Sequence, residues 1–303
     1  WVRRESGTEG AIWAVAYGDG KWVAVGAEQT TGFILTSFDA ITWFLQLTDK
    51  PLYDVTFGPF GFIATGGGFM EEGVSLNSGD GLYFSGGEPG GSGLDERPNG
   101  VACGNGVCVA VGGNGGRIWV TEDGTNWVSQ TQGHDWKVTS LATDGTRLVG
   151  VGGFGTIVSS TDGVNFASHV VATNENYFKV IHTDGGFLAI GSQGVVRTSP
   201  TGTNWTLETT GSTATLKDVA HGNGRTVAIG WNATGKAYGQ FLVRESNGTW
   251  QTVWPAQNEF INTSIAFGNG RFVAAAYHGE VWTSTDGLAW QKLNVGVSQT
   301  ILP

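Results

Sequence analysis

Short runs of β-branched and aromatic residues recur along the chain, separated by Gly, Asn and Asp. The first group is typical: Ile12–Tyr17, Trp22–Gly26 and Phe33–Ser37, with a fourth run starting near Trp43. Such residues suit extended backbone, and the brief polar interruptions suit turns. No stretch keeps an apolar stripe at a 3.6-residue period, so helix is expected to be nearly absent. Each group predicts four strands with short connections.

The groups repeat. The frame Gly18-Asp19-Gly20-Lys21-Trp22-Val23-Ala24-Val25-Gly26 returns at Gly104–Gly112, at Gly222–Gly230 and at Gly268–Ala274. Weaker copies sit at Gly58-Pro59-Phe60-Gly61, Asp144-Gly145 and Asp184-Gly185. The marker Gly of each copy falls at 20, 61, 106, 145, 185, 224 and 270, in steps of 41, 45, 39, 40, 39 and 46 residues. A step of roughly 40–45 residues is that of a four-stranded propeller blade. Seven units predict an all-β fold, a seven-bladed β-propeller of four-stranded antiparallel blades, with residues 1–303 as a single domain. The units run over about 11–47, 51–88, 98–132, 137–171, 177–210, 215–254 and 261–295. Residues 1–6 are a candidate closing strand, since Trp1-Val2-Arg3-Arg4 matches Trp127-Val128-Ser129-Gln130.

A second signature follows each first one: Ser or Thr, any residue, Asp, Gly, two more residues, then an aromatic. Ser78, Asp80, Gly81 and Phe84 fit it, as do Thr121, Asp123, Gly124 and Trp127. So do Ser160, Asp162, Gly163 and Phe166, and Ser284, Asp286, Gly287 and Trp290. Ser37, Asp39 and Trp43 fit with Ala40 in the Gly place; Ser199, Gly202 and Trp205 fit with Thr201 in the Asp place; Ser246-Asn247-Gly248-Thr249-Trp250 is shortened. This resembles the Asp-box, or BNR, repeat of sialidases, sortilin-type receptors, xyloglucanases and photosystem-assembly propellers. The resemblance covers nearly the whole chain and implies a propeller. It implies no single activity, because that superfamily mixes enzymes with binders. Physically, Asp can accept bonds from turn N–H groups, Gly supplies positive φ, and the aromatic packs between units. These Asp residues read as turn-formers, lying on separate blades where they cannot converge.

Composition narrows the partners. There are 51 Gly and 13 Trp in 303 residues, and 16 Lys+Arg stand against 26 Asp+Glu, for a net charge of −10. Excess acid disfavours nucleic acid and anionic membranes. No apolar run approaches the roughly 18 residues of a membrane span, so no membrane insertion is expected. The chain opens at Trp1 without a signal peptide and is expected to be a mature or trimmed form.

The two cysteines, Cys103 and Cys108, flank the turn Gly104-Asn105-Gly106-Val107. Aligned units place Tyr17 with Trp22, Phe57 with Phe62, and Phe267 with Phe272 at those two positions. Such cross-strand partners lie within disulfide range. Either Cys103 and Cys108 are bonded, or they are two half-buried thiols. A disulfide places the chain in an oxidising compartment: extracellular, periplasmic or at the cell surface.

In a propeller of this kind the first-to-second and third-to-fourth strand turns share one side. The other connections are longer here and are expected to carry function. The candidate ligand-binding residues on them are Phe69, Glu71, Glu72, Arg97, His134, Trp136, Tyr238, Phe260 and His278. Rings beside carboxylates and amides suit sugars, which stack on the rings and bond through their hydroxyls. Trp13 and Trp22 are expected instead to wedge between blades. If the chain is an enzyme, Glu71 or Glu72 with Asp95 or Glu96 supplies the carboxylate pair of a glycoside hydrolase, and His134 the base of a lyase. A sialidase needs an Arg cluster; of nine Arg only Arg97 sits clearly on a long loop, and Arg117-Ile118-Trp119 lacks the Pro of the sialidase Arg-Ile-Pro motif. No cofactor is expected; a Ca²⁺ held by Glu71, Glu72 or Asp95 has no supporting pattern. The leading reading is a secreted or surface propeller that recognises a glycan or an extracellular protein without catalysis. The alternatives are a carbohydrate-active enzyme and a protein-docking propeller.

Overall fold

The computed structural model describes residues 7–68, 72–86, 94–112, 116–130, 137–169, 171, 174–231, 239–254, 264–275 and 281–293. Their 28 strands form seven four-stranded antiparallel sheets, each joining strands in sequence order. The first sheet contains β1 (Ala11–Gly18), β2 (Lys21–Glu28), β3 (Thr31–Ser37) and β4 (Phe44–Thr48). The first strands of the next five are β5 (Leu52–Gly58), β9 (Pro98–Gly104), β13 (Val138–Thr143), β17 (Tyr177–Thr183) and β21 (Thr215–Gly222); the seventh sheet opens with β25 (Ser264–Gly268). Among the described residues the one helical element is the 3₁₀ turn Ser192–Gly194. The fold is the expected seven-bladed β-propeller.

The chain divides into two compact units. The first comprises Arg4–Gly152 and Thr156–Ser168 and holds four sheets; the second comprises Trp1–Arg3, Gly153–Gly155 and His169–Pro303 and holds three. Within the four-sheet unit, Val23, Val25 and Ile34 of the first sheet bury against Leu52, Val55, Phe62 and Ala64 of the second. Within the three-sheet unit, Val227, Ile229 and Phe241 meet Ile265, Phe272 and Trp282 in the same way. A blade thus buries apolar residues on a face that only its neighbour can cover, which is why the repeat needs company.

Turn chemistry follows the sequence. Asp19-Gly20, Asn105-Gly106, Asn223-Gly224 and Asn269-Gly270 all have positive φ at both residues, as a two-residue hairpin turn of type I′ requires. In the fifth blade the positive φ falls on Gly186, not on the marker Gly185. In the second signature Ser160 donates to Asp162 (2.8 Å), whose other contacts include the N–H groups of Val164 (2.9 Å) and Asn165 (2.7 Å). Asp39, Asp80, Asp123 and Asp286 repeat the arrangement. Bonds from those turn N–H groups hold the Asp39 and Asp286 carboxyls below the ordinary aspartate value.

Cys103 and Cys108 are register partners on adjacent strands and are disulfide-bonded, with Cα atoms 4.1 Å apart. The same register pairs Tyr17 with Trp22 and Phe57 with Phe62, ring centroids 4.6 and 4.8 Å apart. Gly58 makes room for this pair, since a Cβ there would lie 2.4 Å from the Cys103 Cβ.

Candidate functional site

The opposite end of each sheet repeats a different backbone device. In six first strands one residue is extra against its partner strand. In the four-sheet unit these are Trp13, Tyr53, Asn99 and Thr139; in the three-sheet unit they are Phe178 and Lys217. A β-bulge bends the strand and re-aims one side chain out of the ladder. The backbone around it is secured by the following residue in two blades. Asp54 accepts the N–H of Val101 in the next blade (2.8 Å) and of Val55 (2.9 Å). Asp218 does the same for Ile265 (2.8 Å) and Val219 (2.9 Å). Burial pushes the Asp218 carboxyl up, against the pull of Lys179.

In the four-sheet unit the bulge residues build a stack. The Trp13 and Tyr53 rings lie parallel, 5° apart, with centroids separated by 4.5 Å. The Arg97 guanidinium lies over Tyr53, 4.6 Å from the ring centroid, and donates to its hydroxyl at 3.2 Å. Among the described residues the Tyr53 hydroxyl takes one of the five N–H donors of Arg97. Its sequence neighbours do not use them: Asp95 and Glu96 both turn to Arg117, Glu96 at 3.1 Å, and Asp95 also accepts the Trp119 indole N–H at 3.0 Å. Among the described residues Arg97 has no carboxylate partner.

Of the sequence-predicted residues, Arg97 and Glu72 therefore fall in one neighbourhood. A Cβ on Gly67 would lie 2.9 Å from the Glu72 carbonyl oxygen and 3.5 Å from the Arg97 Cγ. Asp95 and Glu96 face Arg117. Phe69, Glu71, His134, Trp136, Tyr238, Phe260 and His278 lie outside the described residues, as do residues 1–6. Trp22 packs on Tyr17 of its own hairpin, not between blades. Trp13 does reach the next blade, but half-buried and as part of the stack on Tyr53.

The three-sheet unit presents a second arrangement. The Lys217 ammonium lies 3.9 Å from the Phe178 ring centroid and 5.2 Å from that of Trp231. Burial lowers its pKa below the ordinary lysine value. Arginines of this unit instead hold carboxylates. Arg197 grips Glu175 with two bonds of 2.8 and 2.9 Å, and Tyr177 donates to the same carboxylate. Arg244 grips Glu208 at 2.8 Å through both Nε and Nη2, joined by Trp250 at 2.6 Å. For both acids burial, the largest single cause, works to raise the pKa, and the bonds from arginine, with those from Tyr177 for Glu175 and from Trp250 and Thr198 for Glu208, together hold the carboxyls lowered.

The sequence carries a signal for these bulges in the spacing of apolar residues along the strands. Leu52 and Val55, Val138 and Leu141, Tyr177 and Val180, and Leu216 and Val219 stand three apart instead of two. An extra residue in the strand is what such spacing requires.

No family model matches the chain, and no curated protein matches it in sequence. Solved structures do match. The structure of YCF48 bound to D1 peptide is 19% identical over 88% of this chain and 89% of that one, with a TM-score of 0.63. Virginiamycin B lyase from Staphylococcus aureus is 14% identical over 96% of this chain and 97% of that one, at 0.65. BamB from Moraxella catarrhalis is 11% identical over 92% and 87%, at 0.63. At such identities the likeness carries the fold, and one fold serves many functions.

Proposed function

We propose that this protein is a ligand-recognition propeller without catalysis, and that its four-sheet unit binds an acidic saccharide at Arg97. The observation that carries this is a guanidinium held against Tyr53 with no carboxylate partner among the described residues, in a chain of net charge −10. A planar, pre-oriented guanidinium recognises a carboxylate through paired bonds. Trp13, stacked on Tyr53, supplies an apolar ring for a sugar face, while Asn99 and Thr139, exposed on the following bulges, supply partners for its hydroxyls. Hydrolysis of a glycosidic bond needs two carboxyl groups flanking it. Asp95 and Glu96 are engaged by Arg117, which favours binding over cleavage. The disulfide supports a location in an oxidising compartment outside the cytosol. The Ser/Thr-to-Asp turn geometry supports grouping the chain with the Asp-box propellers.

Titration calorimetry with oligogalacturonate and with neutral malto-oligosaccharides tests the reading. Acidic oligomers are expected to bind at least about tenfold more tightly, a difference of roughly 1.4 kcal/mol. Equal affinities, or no binding of either, overturn it. New reducing ends or absorbance from unsaturated uronates would instead make the chain an enzyme. A second reading, protein docking, is favoured by strand β4, the outermost of its sheet, on which Phe44, Leu45 and Leu47 are exposed. YCF48, solved with a D1 peptide, is a propeller of this fold that takes a polypeptide.

A further inference from the structure

Among the described residues Lys217 is a half-buried ammonium held by rings alone. Its bulge lifts it out of the ladder of β21, the neighbouring bulge brings Phe178 to 3.9 Å, and Trp231, at the end of the partner strand β22 (Arg225–Trp231), lies at 5.2 Å. Ring faces stabilise the charge but offer no lone pairs, so three N–H donors go unanswered by them. Removing an ammonium from water without acceptors is unfavourable. No ion pair joins Lys217 to the adjacent Asp218, whose carboxyl accepts the N–H groups of Val219 and Ile265 and feels the charge of Lys179. Acid is not scarce: the chain has 26 Asp+Glu, and Arg197, Arg225 and Arg244 of the same unit each hold one. Lys217 has no such partner among the described residues.

We propose that Lys217, between Phe178 and Trp231, anchors a separate oxyanion-binding site in the three-sheet unit, taking a carboxylate or a phosphate group of a small ligand. A ligand oxyanion would supply the acceptors that the rings cannot, and the rings would cover its apolar part. The site stands on its own observations, so it survives or falls independently of the saccharide reading at Arg97.

The test is acetylation of the intact protein by acetic anhydride, with each lysine followed by mass spectrometry. The probes are glucuronate, inorganic phosphate and glucose. Bound oxyanion covers the amine and holds its proton, so glucuronate or phosphate is expected to slow acetylation of Lys217 several-fold while leaving Lys21 unchanged. Protection by only one of the two anions identifies the source of the oxyanion. No protection by either, or equal protection by glucose, overturns the site. The thermal midpoint of Lys217→Met is a second arm that needs no ligand. Met fills the same space without the charge, so a receptor lysine predicts a midpoint unchanged or raised. A clear fall in the midpoint would mean that the ammonium holds the two rings together as structure, and would also overturn the proposal.

Discussion

The two ends of each sheet use their polar groups in opposite ways. At the turn end, five blades repeat Ser or Thr with Asp, and the carboxylate is filled by the hydroxyl and by turn N–H groups of its own loop. At the bulge end, six blades repeat the backbone irregularity but not the residue: Trp13, Tyr53, Asn99 and Thr139 in one unit, Phe178 and Lys217 in the other. Where the side chain repeats, its partners lie within the loop and its work is to shape the backbone. Where only the backbone repeats, the side chain is released from that work. Two cations at or near the second end, Arg97 and Lys217, meet rings and no carboxylate among the described residues. The difference separates architecture from recognition inside one repeat.

The largest expected effect tests the bulge end. Arg97→Ala should weaken oligogalacturonate about 30-fold, roughly 2 kcal/mol, while the melting temperature stays within the small range of surface substitutions. Arg97→Lys should recover only part of the affinity, because a point charge replaces a planar fork. A comparable fall in stability would make the Arg97 stack structural and erase the contrast.

The turn end should respond the other way. Asp162→Ala removes the acceptor for Ser160, Val164 and Asn165. It should destabilise by about 1 kcal/mol, below the roughly 1.5–3 kcal/mol of bonds to a charged group because this turn is solvated, with ligand binding unchanged. Chemical denaturation measures the first, calorimetry the second.

Acidification should act at the same turns. Asp39, Asp80, Asp123, Asp162 and Asp286 all titrate below the ordinary aspartate value in the folded chain, mainly through N–H and side-chain hydrogen bonds within the turn. Their stabilisation is present above the unfolded value of 3.8 and is lost as pH falls below it. Denaturant midpoints should therefore drop below about pH 4, and less steeply in Asp162→Ala. Equal slopes would mean that the turns do not carry the acid response.

These two ends were unequally legible in the sequence. The turns were readable because their chemistry is local: Asn-Gly, Asp-Gly and Ser-x-Asp-Gly each specify a backbone shape within four residues. The Cys103–Cys108 bond was readable because aligned blades put aromatic pairs at the same register. Tyr53 and Lys217 were not, because their importance comes from residues brought near by packing. Arg97 was found as a loop cation, yet its support by Tyr53 joins positions 44 apart. Asp95 and Glu96 looked like free loop acids, but Arg117 answers them across 22 residues in one case. Only the three-residue apolar spacing, as at Leu52 and Val55, foretold the bulges.

The smallest effect probes whether the turn backbone alone decides the residue there. Six blades place Gly at the positive-φ position of the third-to-fourth strand turn, among them Gly81 (71°), Gly124 (80°), Gly163 (73°) and Gly287 (74°); the first blade places Ala40 there at 55°. A Cβ in this region is unfavourable by roughly 1–2 kcal/mol. Glycine brings back about 0.5–1 kcal/mol of unfolded-chain entropy. Ala40→Gly should thus stabilise by about 0.5 kcal/mol, read as a small rise in denaturant midpoint at constant slope. The reverse change, Gly124→Ala, should destabilise by more than the strain alone, because its Cβ would also lie 2.9 Å from the Phe60 Cβ. If Ala40→Gly were instead destabilising, the Ala40 methyl would have to be making contacts that outweigh the strain. The first-blade turn would then follow its side chain and not the backbone rule that the other blades obey.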